Sequence, residues 1–583
     1  MKMLFVYPDL QTHQFAHIQH GIASISAVLR AAGHQTDLLW IREKWTEEQF
    51  LQAVQDRSPD LVGFSSNALQ WLFARDYART LKAARPDLPL VIGGVHATLV
   101  PDQVWAERIF DVLCLGEGEY PMRDLLEALS RGRDYRRIPN LWVRDGEAVI
   151  QNPLRSWINP LDELPFPDRS IWENDLVLGE NDHEAALMAS RGCPYACTYC
   201  SNSALRRLEA GGPHVRLKSP EYVIAEIADL TRRYDVRSLF FEDEIFTLKR
   251  AWVDRFCELY RAQFKIPFII YVRQELVDRS ILETLREAGC TEIKLGVETG
   301  NERLRREVLG RKTTNEQIIR FYRLAHELGL KTWIFNMVGI PGDTPETIAE
   351  TMDLNREIRA NHVQVTMFYP FPGTPLYELC RREGYLADHD SPSVFYEHSI
   401  LQLPTITREE LHQAFVRFRR LAFEIMAERA AQGYYDFCHH FPEARVETEN
   451  PDYVQLMPVR VEGKERMSVL AHPPARVAYR VVLRPHSRLR FGLAFSPTVW
   501  DQPGGGTTFE IWVRRGRWRS RRVFEKMIDP KHRIEDRRWH DHEIPLGDGG
   551  GRPVEITLVT RTPPGENQYC VAVWSRPHLV EPE

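Results

Sequence analysis

Short apolar runs alternate with amphipathic stretches through the first 135 residues. The runs are LFVYP (4–8), DLLWI (37–41), LVGFSS (61–66), LVIGG (90–94) and DVLCLG (111–116). Between them, 20–32, 46–55, 69–84, 102–108 and 120–129 carry the three-to-four-residue apolar spacing of helices with one buried face. Strands apolar at nearly every position are buried on both sides, so the pattern predicts a parallel sheet with helices on both faces. The expected module is a Rossmann-like, doubly wound domain over 1–135, and ligands of such sheets sit beyond the carboxyl ends of the strands. Residues 136–184 read as a connector with a small hairpin near 135–150.

A second alternating series starts near residue 185. Its strands are AALMAS (185–190), SLFFEDE (238–244), FIIYVR (268–273), EIKLGVE (292–298), TWIFNMVGI (332–340) and VQVTMFYPF (363–371). Six strand–helix units predict a partial, open (β/α)6 barrel over 185–390, with its chemistry at the carboxyl ends of the strands. Residues 391–450 read as a helical extension. From 451 to 583 strand-like runs between Pro/Gly turns such as QPGGGT predict an all-β sandwich or jelly-roll-like domain. The expected fold class is therefore α/β, with an all-β domain at the end.

Composition narrows the field. The chain has 75 Lys and Arg against 81 Asp and Glu, a net charge of 75 − 81 = −6. No global positive field draws it to nucleic acid. No apolar stretch approaches the ~20 residues that span a bilayer. The opening MKMLFVYP is too short for the apolar part of a signal peptide. A cytosolic, soluble protein is expected. Nine cysteines are too few for a disulfide scaffold, and three of them fall within eight residues: Cys193, Cys197 and Cys200.

That cluster lies in SRGCPYACTYCSN, directly after the first strand of the second series. Three thiolates on one short loop can hold three irons of a 4Fe–4S cube and leave the fourth open. Zinc would normally take a fourth ligand from a second paired knuckle, and none is near. The spacing CPYACTYC resembles the CxxxCxΦC signature of the radical S-adenosylmethionine (SAM) superfamily, with Tyr199 as the aromatic position. The resemblance implies a 4Fe–4S cluster on Cys193, Cys197 and Cys200, SAM chelating the open iron, and a 5′-deoxyadenosyl radical that takes hydrogen from substrate. It further implies that Asp243 or Glu244, in FFEDEIF, accepts hydrogen bonds from the SAM ammonium. Glu298, in GVETG, would hold the ribose, and Gly339 and Gly342, in GIPGDT, would let the backbone approach the adenine. Arg273 would meet the SAM carboxylate. An electron donor such as flavodoxin or ferredoxin is implied as partner.

The first 172 residues, with HGIASISAVLRAAGHQTDLL, DLVGFSSNAL, LPLVIGGVHATLVPDQVW and DVLCLGEGEYPMRDLLEAL, resemble the cobalamin-binding module that precedes many radical SAM barrels. Small residues at strand ends would keep a slot open for the corrinoid's nucleotide tail: Ser65 and Ser66, Gly93 and Gly94, Gly116 and Gly118. The loop PDLQTHQFAHIQHG lacks the Asp-x-His-x-x-Gly spacing of cobalt-ligating modules, so none of His13, His17 and His20 is expected to ligate cobalt. RRGRWRSRR (514–522) reads as a solvated hairpin, and WHDHE (539–543) places His540 and His542 on one strand face without a third ligand. The expected activity is a cobalamin-dependent radical SAM methyltransferase acting on an unactivated carbon, or phosphorus, of a small molecule. Cyclisation or rearrangement is the alternative chemistry, and a non-catalytic corrinoid sensor is the alternative of another class. A methylthiotransferase is disfavoured, because residues 1–150 hold only Cys114.

Overall fold

The computed structural model describes residues 1–10, 18–208, 210–386, 399–430, 433–462, 464–516, 519–547, 553–563 and 567–581. They form two compact units, Met1–Leu354 with Val365–Phe415, and Asn355–Gln364 with Val416–Glu583. The first unit opens with a seven-stranded sheet. Its strands are β1 (Lys2–Pro8), β2 (Gln35–Ile41), β3 (Leu61–Ser65), β4 (Leu90–Gly93), β5 (Val112–Cys114), β6 (Leu141–Asp145) and β7 (Ala148–Gln151), in the order β2-β1-β3-β4-β5-β6-β7.

Strand alternation feeds two cores. Leu4, Val6, Phe64, Leu90 and Ile92 pack with Phe50, Val54 and Trp71 on one face. Met3, Phe5, Tyr7, Leu61 and Val112 pack with Ile22, Leu29 and Met122 on the other. Burial on both faces explains why these strands read as unbroken apolar runs. The first five strands are parallel, and the order reverses at β1, which pairs with both β2 and β3. A crevice is expected outside the carboxyl ends at that switch point. The segment expected to be a connector contributes more than a link: β6 and β7 add to β5 in antiparallel sense, with Val112 opposite Val143. Leu141 and Val143 are buried while the hairpin tip is exposed. A two-stranded ribbon with one apolar face needs a sheet edge to cover it, and β5 offers that edge.

The second sheet of this unit comprises β8 (Glu184–Leu187), β11 (Ser238–Phe241), β12 (Phe268–Tyr271), β13 (Cys290–Glu298), β14 (Lys331–Val338) and β15 (His362–Met367), side by side in chain order. Strands β8 through β14 are parallel, and helices such as Pro220–Arg233, Arg250–Gln263 and Asn315–Glu327 connect successive strands. This is the strand–helix order expected of a partial barrel. The helices start where the sequence caps them. Ser219 Oγ accepts from Tyr222 N at 3.1 Å ahead of Pro220, and Thr314 with Gln317 forms a reciprocal capping box. Two short strands, β9 (Ser190–Arg191) and β10 (Arg216–Leu217), pair antiparallel at the base of the cysteine-bearing loop.

The second unit is β-rich. Val454–Val461, Lys464–Ala471, Ala572–Val580, Arg488–Phe495 and His540–Pro545 form one sheet, and Arg445–Thr448, Ala475–Val482, Pro553–Arg561, Thr507–Arg515 and Arg519–Ile528 form the other. One core joins them, with the Phe509 and Trp574 rings 5.1 Å apart, so the two sheets make a sandwich. The stretch expected to stay helical to 450 does not. Its helix, Arg408–Arg429, is followed by Gly433 in the left-handed region, where a Cβ would lie 2.2 Å from the Leu579 carbonyl. From there Tyr435–Asp436 and Arg445–Thr448 join the sandwich as strands. Among the described residues no helix is long and apolar enough to cross a membrane.

Candidate functional site

The cysteine loop hangs from the β9–β10 ladder. All three thiols are free, Cys197 buried and the other two partly so. Gly192, at φ +84°, starts the loop against His214, whose carbonyl would lie 2.3 Å from an added Cβ. Cys200 N donates to Cys197 O at 3.2 Å, Thr198 N to Leu309 O at 3.2 Å, and Leu376 N to Thr198 O at 2.9 Å. The loop therefore rests on chain that follows β13 and β15. Burial pushes the Cys193 thiol up and that of Cys200 to about 11. Ionising them in this dry loop is costly unless a cationic centre sits among them. Among the described residues no three His, Cys, Asp or Glu side chains converge on a single ion. One loop with three separate thiols suits a cube, whose corners are reached singly, better than tetrahedral zinc.

Arg273 belongs to this loop as well. Its Nη1 is 3.6 Å from Cys197 Sγ, its guanidinium lies 3.7 Å over the Tyr195 ring, and its Nε donates to Glu275 Oε1 at 3.0 Å. It was expected on the SAM carboxylate. Its donors are instead engaged by Glu275 and turned to the cysteine sulfur.

The acidic pair after β11 divides its work. Asp243 is buried and accepts from Ser190 Oγ and from Ala189 N at 3.1 Å; burial lifts its carboxyl to about 6. Both its oxygens are taken by the chain's own Ser190 hydroxyl and Ala189 amide. Glu244 accepts from Asn202 Nδ2 at 3.0 Å through one oxygen, while Oε2 is buried without a hydrogen-bond partner. Its charge also raises the thiols of Cys193 and Cys200. Of the two acids expected to meet an ammonium, Glu244 has the vacant acceptor.

Glu298 ends β13 at φ +69°, beyond a bulge, a backbone state that costs a non-glycine ~1 kcal/mol or more. Its Oε1 accepts from Tyr199 Oη at 3.0 Å and Arg311 Nη1 at 3.2 Å. A Cβ at residue 296 would lie 2.0 Å from that oxygen, so Gly296 is required there. Gly339 and Gly342 have φ of +81° and +89°, and Asp343 accepts from Gly339 N at 2.8 Å and Ile340 N at 3.1 Å. A Cβ on Gly339 would meet Leu411 Cδ2 at 2.9 Å. That face, expected to be open to adenine, is packed by protein.

A cleft of about 500 Å³ runs from the carboxyl ends of β3, β4 and β5 to the cysteine loop. Ser65, Gly93, Gly94, Gly116 and Gly118 line one end, and Met188, Gly192, Asn202, Glu242 and Glu244 line the other. A Cβ on Gly94 would meet Ser66 O at 2.6 Å, and one on Gly118 would meet Ile25 Cδ1 at 2.7 Å. Ser66, expected beside Ser65 on the slot, is buried behind the wall, its carbonyl accepting from His96 N at 3.2 Å. His13 and His17 lie outside the described residues. His20 lines the cleft and pairs through Nε2 with Glu242 at 2.9 Å. Arg191 bridges Glu117 at 2.8 Å and Glu119 at 2.6 Å, and Arg216 joins Glu117 at 2.8 Å. The Arg191 and Arg216 pairs tie the turn after β5 to the β9–β10 ribbon, and His20–Glu242 ties the first helix to the chain after β11. Nothing local in the sequence signals these roles of Glu117, Glu119 and Glu242, because their partners lie 72 to 222 residues away.

Comparison with known proteins decides the family. Residues 187–354 match the Radical SAM superfamily and residues 10–126 the B12 binding domain. The chain carries a radical SAM domain and a B12-binding domain. An uncharacterized methyltransferase of Pyrococcus horikoshii is 26% identical over 404 residues, 68% of this chain and 87% of its own. An anaerobic magnesium-protoporphyrin IX monomethyl ester cyclase of Rubrivivax gelatinosus is 28% identical over 396 residues, 65% of this chain and 70% of its own. The structure of the radical SAM methyltransferase TsrM from Kitasatospora setae, with cobalamin and a [4Fe–4S] cluster, shares the fold at a TM-score of 0.55 and 20% identity, over 72% of this chain and 88% of that one. A radical SAM protein of this kind uses a 4Fe–4S cluster, SAM and cobalamin. The donor set fits all three: free thiols on one loop, a vacant buried carboxylate oxygen beside them, and a glycine-walled cleft leading away.

Proposed function

We propose that the protein is a cobalamin-dependent radical SAM methyltransferase acting on an unactivated carbon, or phosphorus, of a small molecule. The observation that carries this reading is the continuous cleft, which joins the glycine-lined strand ends of the first sheet to the cysteine loop of the second. Cofactors held by the residues at its two ends would share the space of one substrate.

When bound, the cluster and SAM supply a 5′-deoxyadenosyl radical and the corrinoid supplies a methyl group. The rest is the work of the chain. Cys193, Cys197 and Cys200 hold the cluster, and Arg273 braces Cys197. Glu244 takes the SAM ammonium through its vacant oxygen, a charge-assisted contact. Tyr199 and Arg311 fix the Glu298 carboxylate where the ribose hydroxyls are expected. Ser65, Gly93, Gly94, Gly116 and Gly118 leave room for the corrinoid tail. Gly373, just past β15, would place a Cβ 2.8 Å from Leu99 Cβ of the B12 domain. That close approach packs the chain after β15 against the B12 domain.

The cyclase among the relatives favours a second reading, cyclisation or rearrangement without methyl transfer. Anaerobically reconstituted protein, given SAM carrying a labelled methyl group and a reductant, separates the readings. Label in product supports methyl transfer, and 5′-deoxyadenosine with unlabelled product supports rearrangement. A loaded cluster that releases no 5′-deoxyadenosine returns the protein to a corrinoid sensor. A flavodoxin or ferredoxin is the proposed physiological reductant.

A further inference from the structure

The two faces of the second sheet are filled differently. Phe241 and Phe268 point to the helices, their rings 5.4 Å from Phe256 and 5.2 Å from Tyr260 of Arg250–Gln263. Their strand neighbours at odd spacing therefore point away from the helices. On that opposite face Phe240, Tyr271, Trp333 and Phe335 form a continuous ring chain. Phe240 is 5.2 Å from Tyr271, Tyr271 is 6.0 Å from Phe335, and Phe335 is 6.2 Å from Trp333 in a near-parallel stack. Lys294 lies between, its Nζ 4.1 Å from the Phe240 ring and 4.4 Å from that of Trp333.

Register shows how high these rings sit. Tyr271 is level with Lys294, and Lys294 with Trp333. Phe335 is level with Gly296, two residues below Glu298, and Phe240 is two below Glu242, which lines the cleft. The rings form a floor directly beneath the strand-end residues assigned to SAM. Every buried partner on the helix side of these strands is closed to solvent, whereas Phe240, Tyr271, Lys294, Trp333 and Phe335 are each only half-buried. Large aromatic faces left accessible inside a fold are surfaces for a ligand.

We infer that the substrate carries a flat aromatic or conjugated ring system, bound on this floor. The inference rests on the proposed enzyme and names the class of molecule it acts on. A flat ring meets the four rings by offset or edge contact, and a saturated ring of equal size gains only the burial of its surface. Specificity for ring planarity then resides in Trp333 and Phe335, with Lys294 at the same level between the strands.

The test is equilibrium dialysis on protein loaded with cluster and hydroxocobalamin, first without and then with S-adenosylhomocysteine, using 2-naphthol and decahydro-2-naphthol as matched probes. The expected result is a preference of about tenfold for 2-naphthol, lost in Trp333→Leu and Phe335→Leu and kept in Trp333→Phe. Equal binding of the two probes by the unmodified protein overturns the inference, whatever the variants do. So does a preference that survives in both leucine variants, or displacement of 2-naphthol by S-adenosylhomocysteine, which would give the floor to adenine. Release of 5′-deoxyadenosine from SAM is measured in parallel. Its presence with probe-indifferent binding sinks the substrate class alone, and its absence sinks the enzyme reading itself.

Discussion

Neighbouring carboxylates in FFEDEIF do different things because both oxygens of Asp243 accept hydrogen bonds from its own chain, whereas Glu244 keeps one buried oxygen without a partner. Glu244→Gln keeps the shape and removes the charge that an ammonium would meet. A charge-assisted bond of ~1.5–3 kcal/mol then predicts SAM binding weakened by about ten- to a hundredfold, read by equilibrium dialysis on cluster-loaded protein. Asp243→Asn should leave SAM affinity nearly unchanged and lower the melting temperature, since Ser190 and Ala189 lose their anionic acceptor. Equal loss of SAM by both variants would refute the division. Asp343 supplies a pH signature. Burial lifts its folded pKa from 3.8 to about 6, so the native state holds this proton more tightly than the unfolded chain. Its contribution to stability is whole below about pH 4 and is lost as pH rises through about 6. The melting temperature of Asp343→Asn should fall below that of the unmodified protein by more at pH 4.5 than at pH 7.5. The opposite trend would show that Asp343 stays ionised.

The glycines after β4 and β5 differ in what a side chain would meet. At Gly94 a side chain would face both a positive φ and a backbone oxygen at 2.6 Å, neither of which can yield cheaply. Gly118 faces only the mobile tip of Ile25 at 2.7 Å. Gly94→Ala should therefore abolish hydroxocobalamin binding and destabilise the module by more than ~1 kcal/mol. Gly118→Ala should fold normally and bind within about tenfold of the unmodified protein, as read from the bound corrinoid's absorbance. The same elements show what was legible in advance. Apolar runs buried on both faces announced the parallel strands, and the thiol spacing announced a cysteine loop beyond a strand's carboxyl end, because both are local patterns. The β6–β7 hairpin showed its alternation, but nothing local says that β5 is the edge it covers. Ser66 could not be told from Ser65, since a one-residue step at a strand end turns the side chain from slot to wall. His20 with Glu242, and Arg191 with Glu117 and Glu119, became visible only when two sheets met. Arg273 was placed by strand position alone, and its neighbour Glu275 decided where it points.

Across the whole chain, both domain matches and the cleft lie within the first unit. The sandwich of the second unit closes over its own apolar residues, from Phe437 and Tyr479 to Trp574, each almost fully buried. The helix Arg408–Arg429 adds Met426 and Ala427 to that core. A core so complete should fold without help from the first unit. A fragment of residues 416–583 is expected to be soluble, to give a strand-type circular dichroism spectrum and to melt in one cooperative step. It should bind neither hydroxocobalamin nor iron and sulfide. The second unit also takes in Asn355–Gln364, which the fragment lacks. If the fragment melts without cooperativity, those ten residues are part of its fold, and the sandwich is an extension of the radical SAM domain's last helix and strand. If it melts as one, the sandwich is a separate domain appended to the catalytic unit, and residues that choose the substrate should be sought first on the ring-lined floor of the second sheet.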